Sequence, residues 1–184
     1  MNIKYPEIGI CGLSCRLCPL YQSNAKSRCL GCKSTGRITV GCPFITCALK
    51  NKKIEFCYEC SENKTCKKWG KHRESGKRHD SFKCYQKLEY DISFILKNGI
   101  EAFNKLQLSK EILLKKILKE FNEGRSKSYY CIAVTVMQID ELENAFIQAK
   151  KDSKRLSIKI KSKILHSIID KIAEQKHYFL GLRK

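Results

Sequence analysis

Residues 129–137 read YYCIAVTVM, and whether this run is a strand or a helix decides the fold class. β-branched and aromatic residues suit a pleated, half-buried surface, but a short apolar run without alternation is also what a fully buried helix looks like. The neighbouring segments decide between the two. Upstream, Leu88, Ile92, Ile95 and Leu96 recur at three- and four-residue steps, as do Ile112, Leu113, Ile117, Leu118 and Phe121. Downstream, Leu142, Ala145, Phe146 and Ala149 form one stripe, and Ile158, Leu165, Ile168, Ile169 and Ile172 form another. Each stripe is one apolar helix face. No second strong strand pattern offers a partner, so residues 129–137 are expected to be a buried helix and the fold class mainly α.

Local signals mark the helix ends. Ser109 is the expected N-cap of the second helix and Gly124 its stop. Asp140 with Glu143 resembles a capping box, and the last helix is expected over about residues 154–177.

Composition changes sharply near residue 85. Eleven of the twelve cysteines (11, 15, 18, 29, 32, 42, 47, 57, 60, 66 and 84) precede it, and only Cys131 follows. Two domains are therefore expected: a loop-rich multi-cysteine metal-binding module over residues 1–85 and an α-helical domain over residues 86–184. The first lacks aliphatic periodicity, so metal binding is expected to supply its folding free energy, roughly 10–16 kcal/mol apparent per structural zinc site.

No 18-residue apolar run is present, and the opening MNIKYPEIGICG has no apolar stretch of signal-peptide length. No membrane span and a cytoplasmic location are expected. Thiols there are kept reduced, which favours metal ligation over a disulfide framework.

Zinc sites use cysteine pairs on tight turns. Cys15 and Cys18, then Cys29 and Cys32, give two such pairs and one expected tetrahedral site. For a second site Cys42, Cys47, Cys57, Cys60 and Cys66 compete for four positions. Cys47, Cys57, Cys60 and Cys66 are the expected set, with Cys11 and Cys42 as alternates. Two zinc ions are the expected cofactor. A 4Fe-4S cluster is the alternative, because Cys11, Cys15 and Cys18 have the spacing of radical enzymes that cleave S-adenosylmethionine, and Cys18 and Cys42 each precede proline. The chain lacks the strand–helix alternation of the barrel that such enzymes need.

The segments CGLSCRLCPLY, CLGC, GCPFITCA and FCYECSENKTC resemble the cysteine-rich prokaryotic proteins grouped as a domain of unknown function, whose members begin CGLxCxxCP. The likeness covers residues 9 to about 68. GRSKSYYCIAVTVM and ILHSIIDKIAEQKHYFLGLRK further resemble a helical extension of some members. The resemblance implies metal binding through Cys11, Cys15, Cys18, Cys29, Cys32, Cys42, Cys47, Cys57, Cys60 and Cys66. It implies no activity, since the family has none assigned.

The formal charge is +19, from 37 basic and 18 acidic residues, which suits anionic partners. Only 8 of the 37 are Arg, so a solvated lysine surface is the plainer reading. Residues 64–83 hold eight basic and two acidic groups interleaved with Trp69, His72, His79 and Phe82. Lys67, Lys68 and Lys71 are candidates to grip a nucleic-acid backbone while Trp69 stacks on a base. Arg125, Ser126, Lys127 and Ser128 precede the apolar run and are a candidate anion site at a helix start. The expectation is a non-enzymatic zinc-binding module that recognises an anionic partner, with nucleic acid the leading class. The rivals are an iron-sulfur protein of anaerobic redox metabolism and an enzyme acting on an anionic small molecule near Cys131.

Overall fold

Gln138 N–H and the Glu141 carboxylate are 3.1 Å apart and close a capping box, so the helix behind them starts at Ile139, and the Asp140/Glu143 start read from the sequence is displaced. Corrections of this kind are local; the helices themselves stand where their apolar stripes place them. A computed structural model describes residues 3–40, 42–81 and 83–184. Among them are eight α-helices and no strand: α1 Thr35–Val40, α2 Pro43–Ile45, α3 Lys67–Arg78, α4 Leu88–Asn98, α5 Ile100–Phe121, α6 Lys127–Val136, α7 Ile139–Asp152 and α8 Ile158–Lys176. α2 runs directly into a π-helical stretch, Thr46–Lys52. The fold class is mainly α, as expected.

Contacts divide the chain into residues 1–107 with 182–184, and residues 108–181. The compositional change at residue 85 is therefore not where contacts change: α4 and the first part of α5 pack with the cysteine-rich segment. Three small apolar clusters organise that first unit. Ile8 and Phe56 meet Ile95 of α4 and Phe103 of α5. Ile10 packs with Ile45, Ala48 and Leu49. Leu13 and Trp69 of α3 meet Leu88 and Ile92 of α4. The cysteine segment thus has apolar contacts of its own, and two of these clusters also draw on helices that follow it.

In the second unit, α6 is the YYCIAVTVM helix. Tyr130, Cys131, Ile132, Ala133, Val134 and Val136 are all buried, which is why its sequence lacks a polar face. Its C-terminal carbonyls are capped by the buried Lys110, whose Nζ donates to Val134 O and Met137 O, both at 2.9 Å. Ser109 is not an N-cap; it lies inside α5, which begins after Gly99, where φ is +85°. Gly124 (φ +108°) comes after α5 has already ended at Phe121. No helix among the described residues is long and apolar enough to cross a membrane.

Candidate metal centre

The first cysteines lie on a tight reversal. Ile8 and Ser14 form a lone antiparallel bridge, Gly9 N–H donates to Leu13 O at 2.8 Å, and Cys15 N–H donates to Glu7 O at 2.7 Å. Gly12, at φ +90°, turns the chain in a way an L side chain rarely tolerates. Cys18 N–H then bonds Cys15 O at 3.0 Å, closing the turn that carries the first pair. Gly31 (φ +104°) sits inside the second pair, and a Cβ there would stand 3.1 Å from Pro6 O, so the Cys29/Cys32 turn also needs glycine. Cys57 N–H donates to Ile10 O at 3.0 Å and docks the Cys57/Cys60 turn on the first reversal. Cys66 is the N-cap of α3, and its Sγ accepts from Trp69 N–H at 3.5 Å.

These turns gather sulfur into two neighbourhoods. In the first, Cys15 Sγ accepts from Cys32 N–H at 3.3 Å and from Lys83 Nζ at 3.5 Å, and Lys83 Nζ also lies 3.4 Å from Cys32 Sγ. The Cys32 thiol donates to Cys15, which together with Lys83 holds the Cys15 thiol well below its ordinary pKa and raises that of Cys32. Cys11 and Cys18 fall within the same field, and Arg37 bonds Cys29 beside Cys32 and Cys18. In the second, burial, reinforced by Cys11, Cys47, Cys66 and Cys60, pushes the Cys57 thiol up to about 12. Cys11 borders both groups.

Lys83 is buried, at 7% exposure, and has no carboxylate in ion-pair distance among the described residues. Burial opposes its charge, but the sulfurs of Cys15, Cys32, Cys11 and Cys18 outweigh that and raise its pKa well above the usual lysine value. A buried ammonium of this kind needs anionic neighbours, and thiolates are the ligand form of cysteine. The twelve cysteines are all unbridged. Among the described residues no three Cys, His, Asp or Glu side chains already surround one point closely enough to hold an ion. The chemistry of the donor set nevertheless fits a metal: soft sulfur donors on tight turns, gathered around a fixed positive charge.

Residues 7–71 match the family Protein of unknown function (DUF3795). The resemblance read from CGLSCRLCPLY and the pairs that follow is therefore to this uncharacterised family. No curated protein and no solved structure matches the chain. The DUF3795 segment contains every candidate metal-ligating cysteine, but Lys83 lies beyond it. In the sequence Lys83 is one cation in a basic run; its role at two sulfurs shows only through a contact spanning 68 residues.

The other candidates separate. Trp69, read as a base-stacking residue, is 3% exposed and packs on Leu13, Leu88 and Ile92, so its ring is not presented to a ligand. Lys67, Lys68 and Lys71 are exposed on α3. His72 sits among Phe44, Trp69 and Tyr85, with ring centroids 4.9, 5.7 and 5.3 Å away, and its buried Nε2 has no hydrogen-bond partner. Phe82 lies outside the described residues. In the second unit Arg125 and Ser126 line a groove, whereas Lys127 and Ser128 do not. Cys131 is buried at 1% exposure inside α6.

Proposed function

We propose that the first unit is a non-enzymatic zinc-binding module holding two ions. Cys15, Cys18, Cys29 and Cys32 would hold one and Cys47, Cys57, Cys60 and Cys66 the other, with Cys11 and Cys42 as alternates. The observation that carries this reading is the Lys83 ammonium buried against Cys15 and Cys32: its charge is offset only if the sulfurs are anionic, and a tetrathiolate zinc site has a net charge of about −2. The ions would add cross-links between the cysteine turns. The exposed row Lys67, Lys68 and Lys71 supports an anionic partner, gripped through charge rather than through base stacking.

Elemental analysis of protein purified without oxygen tests the metal. About two zinc ions per chain are expected. Iron with acid-labile sulfide and a brown colour would replace zinc by a cluster. Removal of metal by a chelator should unfold the first unit, read by the fluorescence of Trp69, the only tryptophan of the chain. Unchanged fluorescence in fully metal-free protein would sink the module reading.

A further inference from the structure

Within the second unit, Arg125, Ser126, Lys159, Ser162, Lys163, His166 and Lys171 line a groove of about 870 Å³. Its floor is a buried polar chain: His166 Nε2 to Ser126 Oγ at 2.9 Å, Ser126 Oγ to Ser162 Oγ at 3.1 Å, and Ser162 Oγ to Tyr130 OH at 3.0 Å. Tyr130 OH ends the chain by donating to Phe121 O at 3.2 Å. A carbonyl only accepts and each hydroxyl has one proton, so the direction of every link follows. Ser162 donates to Tyr130, Ser126 donates to Ser162, and His166 donates Nε2–H to Ser126. His166 is therefore no base for Ser126, and the groove is built to bind rather than to activate a serine.

The same network leaves donors open at its edge. Ser126 is the N-cap of α6, but its hydroxyl faces the floor and makes no capping bond. The first N–H groups of α6 thus have no side-chain cap from Ser126, and the positive end of α6 begins beside the groove. Arg125, Lys159, Lys163 and Lys171 form no ion pair among the described residues. The three acids of the lining are Glu123, which accepts from Ser126 N–H, Asp170, which accepts from Tyr129 OH, and the exposed Glu174. Ile158 is the single aliphatic residue of the lining.

We propose that this groove binds a small phosphate-bearing molecule, with Arg125, Lys159, Lys163 and Lys171 around its phosphate oxygens. The cations outnumber the three acids of the lining, and the volume exceeds what orthophosphate fills. The site is independent of the metal module.

Calorimetric titration of the full chain with pyrophosphate and with a nucleoside diphosphate tests it. Saturable one-to-one binding of either is expected, weakened at least about tenfold by Arg125→Ala or Lys163→Ala, since each removes a charge-assisted contact. Lys151→Ala is the matched control, on the separate basic cavity it shares with Lys150, Lys154 and Lys161, and should change affinity less than about twofold. Circular dichroism confirms that the exposed-residue variants are folded. The proposal is overturned if no saturable binding appears at millimolar ligand or if the control weakens binding as much as the groove variants. Binding of a duplex oligonucleotide that pyrophosphate fails to displace would equally overturn it, in favour of a polyanion surface.

Discussion

Arg183 holds Asp80 through three donors: backbone N–H to Oδ2 at 2.8 Å, Nε to Oδ2 at 2.9 Å and Nη2 to Oδ1 at 3.1 Å. Asp80 returns its own N–H to Arg183 O at 2.8 Å and accepts from Tyr85 N–H. Lys83 lies between the two residues, Asp80 and Tyr85, that this network ties together. The clamp stands three residues from the ammonium at the first sulfur neighbourhood.

Arg183→Ala should destabilise the first unit by about 3 kcal/mol, because the Asp80 side chain has no solvent exposure and would lose its charged partner. Burial opposes the Asp80 charge, but the Arg183 and backbone hydrogen bonds outweigh it and hold the carboxyl below its usual range. A depressed folded-state pKa contributes stability above the unfolded value, about 3.9, that is lost as pH falls through the folded one. Unfolding followed by Trp69 fluorescence should thus fall less steeply below pH 4 in the variant than in the parent. Parallel curves would deny the clamp.

Lys83→Met should lower zinc affinity by about 10–100-fold, the usual cost of losing an outer-shell partner, while Lys83→Arg keeps the charge and recovers part of it. Competition against a chromophoric chelator gives the ratio. Equal affinity in the methionine variant would mean that the ammonium plays no part in the metal site.

Trp69→Ala should behave as a core truncation, costing about 3–5 kcal/mol in unfolding read by circular dichroism. Lys67, Lys68 and Lys71 changed together to Ala should leave stability within about 0.5 kcal/mol. The triple variant should also flatten the salt dependence of polyanion binding by up to about 0.9 per lost duplex phosphate contact. A stable Trp69→Ala protein that loses affinity without losing structure would restore the stacking role.

His72→Phe removes a buried nitrogen without a partner from an aromatic surround, so stability should stay level or rise by about 1 kcal/mol. Burial lowers the imidazole pKa, so the ring is neutral near pH 7 and nothing charged is lost. A fall in zinc content in the variant would instead make His72 a ligand.

The sequence by itself determined what is local. Apolar residues at three- and four-residue steps made α4, α5, α7 and α8 legible, and residues 129–137 read better as a buried helix than as a strand because no second strand pattern offered a partner. The Cys15/Cys18 and Cys29/Cys32 pairs likewise announced tight turns and sulfur chemistry before any contact was known. Tertiary structure alone decided which groups meet across long stretches of chain. Leu88 and Ile92 of α4 cover Trp69 and take it from solvent, Lys83 reaches Cys15 and Cys32, and His166 of α8 meets Ser126 of the GRSKS turn. Helical period and turn preference are properties of a few neighbouring residues, whereas burial of a ring and pairing of a charge depend on contacts that no window of sequence contains.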